Sequence, residues 1–203
     1  MKIALIGATG NVGSRILTEL LNRGHEVTGI ARHPEKLLPQ ANLTAKRGDA
    51  NDKDGLAGLL SGHDAVISAG RFVSVNPQTL IAAVKKADVS RLLVVGGAGS
   101  LEVVQGVQLV DTPQFPAAAK HEALAGREFL NVLRGEQELD WTFLSPSLLF
   151  APGERTGKFR LGTDQLLLGE NGESKISLED FAVALVDELE TPRHSRQRLT
   201  VGY

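Results

Sequence analysis

The chain has 203 residues, a mass of 21.6 kDa and 42% hydrophobic residues, enough for one domain to bury its core without metal or disulfide staples. Its 22 Lys and Arg against 24 Asp and Glu leave a net charge of −2, which offers no broad positive field to nucleic acid or to an anionic membrane. The absence of cysteine excludes thiolate catalysis, Cys-ligated zinc and a disulfide framework, and makes the cytoplasm the expected compartment.

Short β-rich apolar runs alternate with helical patterns, as in βαβ units around a parallel sheet. The first expected strand, Lys2–Ile6, stops at Gly7, too soon for a signal peptide, and no apolar run is long enough to span a membrane. A helix over about Val12–Arg23 has Val12, Ile16, Leu17, Leu20 and Leu21 on one face and ends at Gly24. The second strand is Glu26–Ala31. Arg32-His33-Pro34 then turns the chain into a short helix near Glu35–Leu38, and a third strand follows at Leu43–Arg47. The Gly48-Asp49-Ala50-Asn51-Asp52 loop leads to a helix near Lys53–Leu60 and a fourth strand, Ala65–Ser68. Next come a helix over Pro77–Ala87 and a nearly all-apolar fifth strand, Arg91–Val95, closed by Gly96-Gly97-Ala98-Gly99-Ser100. A helix over about Ala117–Leu133 precedes the sixth strand, Asp140–Leu144. In the last third, Pro152–Gly157 is a loop, and Gln165–Leu168 and Lys175–Ser177 are expected to pair as a hairpin around Asn171-Gly172. Leu178–Leu189 is a helix and Leu199–Val201 a last strand.

The most informative segment is Gly7-Ala8-Thr9-Gly10-Asn11-Val12-Gly13, set between the first strand and the first helix. Gly7 allows a tight turn, Gly10 a close approach of pyrophosphate to backbone, and Gly13 close helix–strand packing; the helix N-terminus offers free N–H donors and partial positive charge. The expected fold is therefore α/β, a Rossmann-type doubly wound parallel sheet forming one domain over residues 1–203, with about 146–203 as a small substrate-side lobe on one edge. At the end of the second strand no carboxylate awaits the ribose 2′-hydroxyl of NAD. Arg32 stands there instead, with Lys36 one turn on, suited to a 2′-phosphate, so NADP(H) is preferred over NAD(H).

Gly7–Gly13, Arg32, Gly48-Asp49, Ser68-Ala69-Gly70 and Ser145-Pro146-Ser147 together resemble the atypical short-chain dehydrogenase/reductase superfamily. Within it the chain is similar to the NmrA-like and biliverdin-reductase-B-like NAD(P)H-binding group, whose members include proteins described as NADH-flavin reductases. Trp141–Ser147, Pro152–Gly157 and Ile176–Ala182 fit that group's later motifs. The resemblance implies that Asp49 and Ala50 lie against the adenine, Ser68-Ala69-Gly70 along the middle of the cofactor, and Ser145-Pro146 near the nicotinamide. Asp49 serves equally well as an Asx-turn or capping residue.

The Tyr-x-x-x-Lys pair of the larger superfamily is absent: Pro116 stands four positions before Lys120, and the single tyrosine is Tyr203. Ser100, just past the fifth strand, and Lys120 are the candidate catalytic residues. The lone histidines His33, His63 and His121 reveal no partner in the sequence. A missing tyrosine weighs against ketone reduction but not against transfer to a flavin, quinone or other planar small-molecule acceptor, which takes its proton from solvent. The alternative is a non-catalytic NADP(H)-sensing regulator. No metal, nucleic-acid or membrane partner is expected, and a homodimer is left open.

Overall fold

The computed structural model describes residues 1–203. In chain order it contains β1 (Lys2–Ile6), α1 (Asn11–Asn22), β2 (Glu26–Ala31), β3 (Leu43–Arg47), α2 (Lys53–Leu60), β4 (Ala65–Ser68), α3 (Pro77–Lys86), β5 (Arg91–Val95), β6 (Glu102–Val104) and β7 (Val107–Gln108). There follow α4 (Ala117–Arg134), β8 (Asp140–Pro146), β9 (Leu149–Ala151), β10 (Arg160–Gly162), β11 (Lys175–Ser177), α5 (Leu178–Glu190) and β12 (Gln197–Gly202). Eight strands form the central sheet in the order β10-β12-β8-β5-β4-β1-β2-β3. All are parallel except β10, which runs antiparallel to β12. The order reverses at the β1–β4 pair, so the crevice beyond the carboxyl ends of these strands is the place where such a sheet receives a ligand.

Alternation along each strand divides the core between two faces. Ala4, Ile6, Ile30, Val66, Leu92 and Phe143 pack against Leu56, Leu60, Leu80, Val84, Phe129 and Leu133 of α2, α3 and α4. On the other face Ile3, Leu5, Val27, Leu93 and Leu144 meet Ile16 and Leu20 of α1 and Phe181 and Leu185 of α5. Helices cover both faces, which explains why β4 and β5 read as continuous apolar runs. Within residues 146–203, β12 joins the central sheet and α5 packs beside α1, while β9 and β11 form a separate two-stranded ribbon.

One local expectation is corrected. Gln165–Leu168 and Lys175–Ser177 do not form a hairpin: β11 pairs in parallel with β9, whereas Gln165 bridges to Glu102. The Asn171-Gly172 turn does close, through Gly169 N–H to the Glu173 carbonyl at 2.7 Å with Gly172 at φ +78°. Pairing with β9 buries Ile176 in the α1–α5 core, a gain that a hairpin with the half-exposed Leu168 would not provide. Asn171-Gly172 is a true turn signal, but tertiary burial chooses the partner strand.

Candidate active site

Asp52, Asn76 and Ser177 cap α2, α3 and α5 with their side chains, whereas α1, behind Gly10, and α4, behind Pro116, have neither a side-chain cap nor an acidic residue in the first turn. The leading N–H groups of α1, which starts directly after the glycine turn's Gly10, are thus left free for an external anion. Gly7 sits at φ +81°, where an added β-carbon would also lie 2.8 Å from the Ala69 carbonyl oxygen. The turn is braced by Gly7 N–H to the Ile30 carbonyl (2.9 Å) and Gly10 N–H to the Gly7 carbonyl (3.0 Å). Thr9, Gly10 and Asn11 are exposed, Val12 is half-buried and Gly13 is buried against Gly7 and Ala8.

Strand order brings the other predicted residues to the same edge. Gly48 N–H donates to the Ala31 carbonyl and Ala69 N–H to the Ile6 carbonyl, so Arg32, Gly48–Ala50, the glycine turn and Ser68–Gly70 adjoin one another. Arg32 and Lys36 are exposed, and neither side chain makes a hydrogen bond or ion pair within the chain. Asp49 forms an Asx-turn, its Oδ1 accepting from Asn51 N–H at 2.9 Å; Ala50 is buried below it. Asn51 in turn bonds the Ser74 carbonyl and Asn76 N–H, tying this loop to the segment that follows β4.

Beyond β5 lies an apolar cavity of about 330 Å³, walled by Phe72, Gly97, Ser100, Phe115, Ala123 and Leu148 among others. It sits at the carboxyl ends of β4, β5 and β8, with α4 as its floor. Phe72 stacks on Phe143 with ring centroids 5.9 Å apart, and its ring fills the space where a Gly126 side chain would begin. Glu122 accepts the Phe72 N–H at 2.6 Å and pairs with Arg71, fixing the backbone of this wall. Sequence reasoning passed over Phe72, Glu122 and the small-residue stripe Ala119, Ala123 and Gly126 on α4. The signal was the glycine inside a helix, which implies a close neighbour.

Ser100 is buried and lines the cavity; its Oγ and its carbonyl oxygen each accept from Arg198 at 3.3 Å. Arg198 lies on β12, almost wholly buried, and is anchored by Asp164. Burial presses its guanidinium below the usual range, and the Asp164 carboxylate opposes that shift. Lys120 is exposed, has no polar partner and is not part of the cavity wall. His121 is also exposed, His33 pairs with Glu35, and His63 is held between the Leu60 carbonyl and Thr28 Oγ1.

Ser145 and Pro146 are buried at the end of β8. Ser145 Oγ faces the Trp141 and Phe143 side of the sheet and has no hydrogen-bond partner; with Arg91 Nε it is one of two such buried side-chain atoms. Arg91 lies at the opposite end of the sheet, so Ser145 is the single orphaned side-chain group at the ligand edge, and it suits a polar ligand group. The Pro152–Gly157 loop does not reach the Ser100 cavity. It lies on the α1–α5 side, where Arg155 forms a two-pronged pair with Glu19, and Asp180 accepts from Thr156 Oγ1, Gly157 N–H and the Tyr203 hydroxyl. Burial would raise the Asp180 carboxyl, but these donors hold it below the usual range. Burial and Asp180 raise the Tyr203 phenol. The one tyrosine therefore clips the last residue to α5.

A family model described as NAD(P)H-binding matches residues 7–192. Three solved structures are similar over the full chain. One, from Burkholderia pseudomallei and provisionally named an exported protein, is 48% identical with a TM-score of 0.91, and all of it is covered. One from Bacteroides thetaiotaomicron, provisionally named an epimerase, is 45% identical with a TM-score of 0.95 and 96% covered. One from Streptococcus pneumoniae, provisionally named an NADH-flavin reductase, is 36% identical with a TM-score of 0.82 and 99% covered.

Proposed function

Given that the chain belongs to the NAD(P)H-binding family, we propose that it is an oxidoreductase that uses NADPH to reduce a planar acceptor, such as a flavin or quinone, seated in the cavity beside Ser100. The observation that carries this reading is the continuity of one sheet edge. An uncapped helix behind the glycine turn stands at its centre, unpaired Arg32 and Lys36 at one end, and an apolar cavity at the other.

The backbone of Gly7–Gly13 would hold the pyrophosphate, Arg32 and Lys36 the 2′-phosphate, and Asp49 and Ala50 the adenine side. Ser68-Ala69-Gly70 would line the middle, and Ser145-Pro146 the nicotinamide. The bound cofactor supplies a hydride. The protein's own part is to stack the acceptor against Phe72 and to keep water from the transfer, which needs orientation more than a strong acid. Lys120, exposed on the first turn of α4, is left the lesser role of meeting the acceptor or a ribose at the rim. No helix is long and apolar enough to cross a membrane, and the cysteine-free composition supports work in the cytoplasm.

A second reading, an NADP(H)-sensing regulator, draws on one observation: the hydroxyl of the only tyrosine is bonded to Ser177 and Asp180 on the α5 side of the sheet, away from α4. NADPH and NADH oxidation against FMN, FAD, riboflavin, quinones and simple carbonyls, with binding titrated in parallel, separates the two. Turnover with flavins or quinones supports the reductase. Tight NADPH binding with no acceptor reduced supports the sensor.

A further inference from the structure

The segment Arg71–Asn76, between β4 and α3, carries Phe72 into the wall of the apolar cavity, and little within this strap fixes its path. Only Val75 is buried in it, against Gly70, and its internal bonds are Ser74 N–H to the Arg71 carbonyl at 3.0 Å and a longer one from Val75 N–H to the Phe72 carbonyl. Side chains from two distant parts of the chain hold it instead. Glu122 on α4 accepts Phe72 N–H at 2.6 Å and Val73 N–H at 3.4 Å. Asn51, from the loop after β3, grips the other end with both polar atoms of its amide: Nδ2 donates to the Ser74 carbonyl and Oδ1 accepts from Asn76 N–H, each at 2.9 Å.

Asn51 thus belongs to both ends of the site. Its own N–H closes the Asp49 turn at 2.9 Å, on the loop that the cofactor reading sets against the adenine. Its side chain holds a strap whose other anchor is the cavity wall, where the Phe72 ring meets Phe129 and Phe143. Coupling between separate sites needs contiguous contacts with more than one arrangement. The bonds of Asn51 are exposed, so water competes for them and each adds little net stability. A segment held in this way opens locally at low cost. A ligand that fixes the Asp49–Asn51 loop therefore adds to the hold on the strap, and a ligand resting on Phe72 adds to it from the other side.

We propose that Asn51 is a positioning residue for the acceptor: filling the adenine end of the site sets Phe72 in place through the strap, so that the adenosine half of the cofactor tightens acceptor binding through Asn51. By linkage the acceptor tightens the adenosine half by the same factor. This rests on the reductase reading and adds a selectivity to it, since the cavity takes a flat acceptor well only when a cofactor is present to reduce it.

The test uses adenosine 2′,5′-bisphosphate, which carries the adenine and the 2′-phosphate but no nicotinamide, and riboflavin, whose fluorescence reports its binding. Saturating adenosine 2′,5′-bisphosphate should tighten riboflavin by about fivefold or more in wild type, the lower end of typical couplings. In Asn51→Ala, which keeps the backbone N–H on Asp49, that factor should vanish while adenosine 2′,5′-bisphosphate alone still binds. With NADPH the variant should show a raised KM for riboflavin and a kcat near that of wild type. Coupling retained in Asn51→Ala, or absent from a wild type that binds both ligands, overturns the proposal. Should the variant fold poorly, hydrogen exchange on wild type decides: the amides of Phe72–Val75 should exchange more slowly with adenosine 2′,5′-bisphosphate bound, and unchanged exchange overturns the proposal. The binding measurements need no turnover, so a protein that reduces nothing fails the reductase reading and still tests the coupling. A wild type that binds no adenosine 2′,5′-bisphosphate, or no riboflavin, fails the cofactor or the acceptor reading and overturns the coupling with it.

Discussion

A β-carbon placed on Gly13 would stand 2.1 Å from the carbonyl oxygen of Gly7. That oxygen already accepts the Gly10 N–H, so neither partner can give way without opening the turn. Gly13→Ala should therefore abolish NADPH binding and lower the melting temperature. Gly58→Ala, on the exposed face of α2 with nothing within 4 Å, should raise stability by up to about 1 kcal/mol. Thermal unfolding and cofactor titration of the two variants check both halves; a Gly13→Ala protein that binds normally would remove the turn from the site.

Arg32→Ala should weaken NADPH by about 1.5–3 kcal/mol and leave NADH nearly unchanged, since the side chain is committed to nothing else in the chain. Calorimetric titration of the two cofactors measures the difference. Equal losses would show that Arg32 does not meet the 2′-phosphate.

The orphaned hydroxyl of Ser145 gives a prediction of opposite signs. Removing it relieves an unsatisfied buried group, so Ser145→Ala should stabilise the cofactor-free protein by about 1 kcal/mol. The same change should reduce the stabilisation that saturating NADPH adds. Denaturation with and without cofactor reads both effects, and a variant less stable than wild type without cofactor would sink the idea.

Asp180 supplies a pH dependence. Its carboxyl is held below the ordinary value, so its contribution to stability is full above the unfolded pKa near 4 and is lost as pH falls through the lower folded value. Asp180→Asn should cost about 2 kcal/mol at pH 7, where Thr156, Gly157 and Tyr203 bond the charged form. Urea unfolding at pH 7 and at pH 3 should show the gap between wild type and variant closing on acidification. A gap independent of pH would mean that the carboxylate charge contributes nothing.

What was legible in the sequence was whatever depends on local pattern. Period-2 and period-3.6 apolar runs gave strands β1 to β5, β8 and the five helices, and the glycine spacing of residues 7–13 marked the edge where a ligand binds. Partners chosen by burial over long separations were not legible. Lys175–Ser177 looked ready for its turn-mate and instead reached back to Leu149–Ala151, because only there does Ile176 enter the core. Arg198 carried no local signal either. It reads as an ordinary charged residue just ahead of the expected strand Leu199–Val201, and its meaning arises only when β12 inserts beside β8 and brings the guanidinium to Ser100, 98 positions away in sequence. Phe72 and Glu122, 50 positions apart, were hidden for the same reason.

β12 enters the sheet between β8 and β10, and α5 covers the face that α1 shares. As the ribosome makes the chain from its amino end, the glycine turn emerges first and its supports last. Until residues 178–203 exist, Ile16, Leu17 and Leu20 have no helix to lean on, and the cavity wall at Ser100 lacks its arginine. The glycine turn therefore gains its full support only after residues 178–203 have left the ribosome, so emerging early does not make it rigid early.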